Sequence, residues 1–99
     1  MKFGLEQKTI DQIYSIFAKY NQIDQVIIYG SRAKGNYKKG SDIDLVIKGR
    51  DLDLSILQDI ELEIDDLLLP YTFDISIFEH LKDPDLIDHI QRVGQVFYP

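Results

Sequence analysis

Ninety-nine residues, 44% of them hydrophobic, are enough for one compact domain and too few for two separate cores. A charged fraction of 28% and 11 aromatic residues set aside disordered, collagen-like and coiled-coil chains, and a net charge of -6 argues against broad, sequence-independent binding of nucleic acid, which needs many Lys and Arg contacts to phosphate. There is no cysteine, so disulfides and thiolate metal sites are excluded together.

No apolar run approaches the roughly 20 residues that cross a bilayer, and Met1 to Lys8 has no signal-type apolar core, which makes cytoplasmic residence the simple expectation. The charge is uneven. Arg32, Lys34, Lys38 and Lys39 fall in one short stretch, whereas acids dominate from Asp51 to Asp66. A local basic loop on an acidic body suits a small polyphosphate better than a polymer.

In chain order, Thr9 and Gln12 form a capping-box pattern ahead of Ile13, Ile16, Phe17 and Tyr20, which recur at helical spacing. Val26 to Tyr29 is a short β-branched run that reads as a buried strand. Ser31 to Lys34 fits one helical turn, and Gly35-Asn36 with Lys39-Gly40-Ser41 marks a loop. Ile43 to Ile47 reads as a second strand, stopped at Gly49. Asp51 or Asp53 then caps a helix that carries Leu54, Leu57, Ile60 or Glu61, Ile64 and Leu67-Leu68 and ends at Pro70. Thr72 to Phe78 alternates apolar and polar residues, as a third strand does. Asp83-Pro84 opens a last helix with Leu86, Ile87, Ile90 and Val93 inside and Gly94 as its stop. The expected fold is a small α/β (α+β) domain spanning 1–99, a three-stranded mixed sheet with helices packed on it.

Three features carry chemistry. Gly30-Ser31 follows a strand where free N–H groups attract phosphate, although a serine-capped turn has the same composition. Asp42 and Asp44 are alternate residues at the head of a strand, so they share a face with Cα atoms about 6.5–7 Å apart. Aspartate is depleted in strands, and two like charges on one face repel unless a cation lies between them. The plainer reading is a turn cap at Asp42 and a solvated Asp44. Asp74 lies on the polar face of an apolar strand and joins the pair if the two strands are neighbours with matching faces; otherwise it is a solvated position on an edge. Three oxygen donors without His or Cys favour Mg²⁺ or Mn²⁺ over zinc.

Taken together, Gly30-Ser31, ten intervening residues and Asp42-Ile43-Asp44 resemble the Gly-Ser-x10-Asp-x-Asp signature of the DNA polymerase beta-like nucleotidyltransferase superfamily. The stretch GSRAKGNYKKGSDIDLVI is similar to its minimal nucleotidyltransferase (MNT) branch, and the likeness runs from about Val26 to Phe78. The resemblance implies a two-metal mechanism with two Mg²⁺ ions. Asp42 and Asp44 would bind both ions, Asp74 would complete one site, and Gly30 and Ser31 would hold the β- and γ-phosphates of a nucleoside triphosphate such as ATP. Arg32, Lys39 and Ser41 would add nucleotide contacts, with Lys34 and Lys38 as further candidates.

The resemblance also implies a partner, a helical HEPN protein paired with the MNT chain as toxin and antitoxin, with AMP moved to a toxin tyrosine. So small a domain leaves one wall of a triphosphate site open, to be closed by another polypeptide, by a second copy, or not at all. The competing readings are a binding module that silences its partner by occlusion, and transfer to a small molecule such as an aminoglycoside. His80 and His89 read as surface or partner-facing positions, and Tyr29 as core or rim packing.

Overall fold

The computed structural model describes all residues, 1–99. Its elements run α1 (Gln7–Phe17), β1 (Ile23–Tyr29), α2 (Gly30–Lys34), β2 (Ile43–Gly49), α3 (Leu54–Asp65), β3 (Phe73–Ile77), a 3₁₀ turn, α4 (Pro84–Val93) and β4 (Gln95–Tyr98). The sheet has the order β3-β2-β1-β4. β1 is antiparallel to both β2 and β4, while β2 and β3 are parallel, joined by the α3 crossover that a parallel pair requires. No helix is long and apolar enough to cross a membrane.

Strand periodicity divides the side chains between two layers. Val26, Ile28, Leu45, Ile47 and Ile75 point toward α1 and α3 and form the main core with Ile13, Phe17, Ile60 and Ile64. On the other face a smaller cluster joins Ile27, Tyr29 and Val46 to Ile90 of α4. That second face also carries Asp44, Ser76 and Asp74, because each alternates with a core residue on its strand.

The sheet has four strands where the sequence pattern indicated three. Val96 and Phe97 alternate for too few residues to mark β4 by themselves; the strand exists because the free edge of β1 pairs it. Phe97 is fully buried, its carbonyl accepts from the Tyr14 hydroxyl, and Gln95 Nε2 donates to the Ala33 carbonyl at 2.6 Å.

Helix boundaries also shift. α1 starts at Gln7 with Glu6 as its N-cap, so Thr9 and Gln12 lie inside the helix and form no capping box. The helix ends at Phe17, and Tyr20 lies in the following turn, hydrogen-bonded to Glu63. Of the two acids proposed to cap α3, Asp53 does so, accepting from Ile56 N at 2.9 Å. α3 stops at Asp65, before Leu67-Leu68 and well before Pro70, and Leu68 turns out into water at φ +54°. Asp83 accepts from Asp85 N and Pro84 opens α4, as the sequence pattern indicates.

Candidate active site

Asp44 and Asp74 are direct partners in the parallel β2/β3 register, so their side chains leave the same face of the sheet. Asp42 stands one residue before β2, exposed and two positions from Asp44. On the other side of Asp44, its antiparallel partner is Tyr29, the last residue of β1, and Gly30 follows at once. The register therefore brings the glycine-serine turn and the carboxylates together.

Gly30 has φ +74°, a region that suits glycine, and a Cβ built there would run into the Asp44 carboxylate. The main chain entering α2 thus lies directly against the acid. Gly30→Ala is expected to lower stability by about 1–2 kcal/mol through left-handed strain and to displace Asp44, cutting turnover at least tenfold. A variant with wild-type melting temperature and wild-type rate would show that this contact does not matter.

The neighbouring charges bear on one another. Burial raises the Asp44 carboxyl above its ordinary value, with further increments from the negative charges of Asp74 and then Asp42, while His89 opposes them. The Tyr29 phenol is raised by burial and by Asp74 and Asp44, with an opposing hydrogen bond from Ser76. Nothing basic in the chain forms an ion pair with the three acids; the salt bridges are Lys19–Glu63 and Arg92–Asp88. Lys48, near the end of β2, stacks over the Phe78 ring at 4.6 Å.

No three acidic or imidazole side chains are closed to metal-coordinating geometry. Asp44, Asp74 and Asp42 nonetheless fit a hard divalent cation. They are oxygen-only donors, and a cation would balance the negative charges of Asp74 and Asp42 that add to burial in raising Asp44. Asp42 and Asp74 are exposed and Asp44 is half-buried, and none of the four surface clefts is lined by them.

The basic loop divides into two parts. Lys34, Lys38 and Lys39 are exposed, whereas Arg32 is only 3% accessible. Its Nε and one terminal nitrogen donate to the Ser41 carbonyl at 3.0 and 2.9 Å, and the other terminal nitrogen donates to the Phe3 carbonyl at 2.9 Å. The guanidinium also lies over the Tyr37 and Tyr71 rings, at 5.3 and 5.0 Å. Ser41 Oγ accepts from Lys38 N at 2.8 Å, so this hydroxyl helps fold the turn. Arg32 and Ser41 brace the loop, and the lysines are its free charges.

Two residues that the sequence pattern marks only as packing or surface lie beside the carboxylates. Tyr29 is 7% accessible, and its ring meets His89 of α4 edge-on at 6.1 Å. The antiparallel register of Tyr29 with Asp44 depends on long-range pairing, which no local pattern reveals.

The family profile described as "Polymerase beta, Nucleotidyltransferase" matches residues 11–99. The chain belongs to this nucleotidyltransferase family. No curated protein sequence matches it. The nucleotidyltransferase fold is shared with solved structures of low sequence identity. One is a toxin-antitoxin with AMP-PNP, at TM-score 0.72 and 17% identity over 95% of this chain and 73% of that chain. Another is a tri-AMPylated Shewanella oneidensis HEPN toxin in complex with MNT antitoxin, at 0.69 and 14% over 95% and 72%. A third is the toxin-antitoxin MntA-HepT, at 0.68 and 15% over 94% and 72%.

Proposed function

We propose that this nucleotidyltransferase moves AMP from ATP to a hydroxyl of a helical HEPN-type partner, a tyrosine by preference, and so acts as the antitoxin of a pair. The observation that carries the reading is the register of Asp44 with Asp74 on one sheet face, beside Asp42 and against Gly30. The structures sharing the fold support the choice of nucleotide and partner: one contains AMP-PNP and another an AMPylated HEPN toxin.

Asp42, Asp44 and Asp74 would hold Mg²⁺ or Mn²⁺. Such a cation neutralises triphosphate charge and polarises phosphoryl oxygens as a Lewis acid. Main-chain N–H groups at Gly30-Ser31 orient the β- and γ-phosphates, and the Ser31 hydroxyl adds a donor. The exposed Lys34, Lys38 and Lys39 offset the remaining phosphate charge, on a loop whose shape Arg32 and Ser41 maintain. Asp74, exposed on an edge strand, takes the acceptor's proton as general base. The acceptor oxygen then bonds to the α-phosphorus, the bond to the bridging oxygen breaks, and pyrophosphate leaves.

The test is incubation of the chain and the product of its neighbouring gene with α-labelled ATP and Mg²⁺. Label is expected on the partner with the wild type and not with Asp42→Asn, which should still bind the partner. An active Asp42→Asn would overturn the mechanism. An Asp42→Asn that still silences its partner would return the function to occlusion.

A further inference from the structure

Behind the carboxylates lies a surface that the proposed chemistry does not use. α3 exposes Leu54 and Leu62, each 62% accessible, and the turn after it exposes Leu68 at 88%. Leu54, Gln58, Glu61, Leu62 and Asp65 follow one another at three- and four-residue steps or sit side by side, so they share one stripe of the helix. Leu68 extends the apolar surface from a left-handed conformation that disfavours a leucine, with its side chain in water. Between the stripe and β3 runs a groove of about 270 Å³, walled by Glu61 and Asp65 on one side and by Tyr71, Thr72 and Phe73 on the other. β3 pairs only with β2, so the outer edge of that strand has no neighbouring strand.

Charge identifies the occupant. α3 contains four acids and no basic residue, and of the four only Glu63 has an ion-pair partner, Lys19. A second copy docked by two-fold symmetry would set this acidic stripe against itself. Leucines framed by unpaired carboxylates instead match a helical protein surface with Lys or Arg around apolar side chains.

Position supplies the consequence. Thr72, at the rim of the groove, is two residues before Asp74, a separation of about 6.5–7 Å along an extended chain. We infer that the α3–β3 groove docks the basic, helical acceptor protein and guides its hydroxyl over the β3 edge to Asp74. This rests on the proposed transfer to a protein, and it adds a surface for that protein on the far face of the sheet.

The experiment pairs two surface double variants, Leu54→Ser with Leu62→Ser and Glu61→Lys with Asp65→Lys, with the product of the neighbouring gene as the probe. Binding is read by titration calorimetry and transfer by label from α-labelled ATP. All four positions are exposed, so melting temperatures should stay near wild type. Each double variant is expected to weaken Kd at least tenfold and raise the acceptor KM in parallel, with kcat and the ATP KM within twofold. Kd and acceptor KM within twofold of wild type in both would overturn the assignment. So would a self-associating wild type whose dimer is lost with the two leucines, since a second copy would then be the occupant. Asp42→Asn separates this inference from the reading beneath it. Transfer that survives in that variant sinks the catalytic reading and leaves the groove assignment to the binding data. Failure of the wild type to bind the partner sinks both.

Discussion

Asp44→Asn is expected to lower AMP transfer by roughly 10³-fold, equivalent to about 4 kcal/mol of transition-state stabilisation, while making the cation-free protein more stable. The two effects have one cause. Burial, Asp74 and Asp42 together disfavour the ionised Asp44 carboxylate. The folded chain therefore holds this proton more tightly than the unfolded chain, whose carboxyl titrates near the ordinary value of 3.8. The unfavourable contribution of Asp44 is absent below that unfolded value, develops as pH rises toward the higher folded value, and is constant above it. Asparagine removes the charge, so at pH 7 without divalent cation the melting temperature should rise by roughly 2–4 °C. Added Mg²⁺ or Mn²⁺ should stabilise the wild type at pH 7 more than at pH 4, and should do little for the variant. A structural aspartate would behave in the opposite way, losing stability on substitution whether or not cation is present.

Arg32→Ala should cost roughly 3–4 kcal/mol of stability, a large share of what a domain of this size possesses. The substitution leaves the Ser41 and Phe3 carbonyls without their donors and empties the space between Tyr37 and Tyr71. Lysine should restore little, because a single ammonium cannot reach both carbonyls while stacking between two rings. Thermal or urea unfolding provides the check. If Arg32→Ala melted like wild type and only the ATP KM rose, the guanidinium would be a phosphate ligand, as the sequence resemblance implied, and not a brace.

Arg32 also marks the limit of what the chain discloses before it folds. Four basic residues in one short stretch look equivalent in sequence, yet only one is buried. The distinction depends on Tyr71, in the approach to β3, and on Phe3 near the amino terminus, which only the tertiary structure brings to the loop. The acids were easier to read. A two-residue period fixes the faces of Asp44 and Asp74 relative to their own strands, and the α3 crossover then makes β2 and β3 parallel neighbours in matching register.

β4 could not be seen, since four residues of weak alternation have no identity apart from the edge of β1 that pairs them. Helix ends failed for a related reason. Thr9 and Gln12 have the composition of a cap but sit inside α1, where polar residues at that spacing equally suit a partly solvated face.

The proposed chemistry requires Asp42, Asp44 and Asp74 to share a cation. Its most direct test is Mn²⁺ binding, followed by electron paramagnetic resonance in the presence of a non-hydrolysable ATP analogue, for the wild type and for each Asp→Asn variant. The wild type should bind Mn²⁺, and Asp42→Asn, Asp44→Asn and Asp74→Asn should each weaken binding at least tenfold. Mn²⁺ affinity unchanged in all three variants would contradict the account.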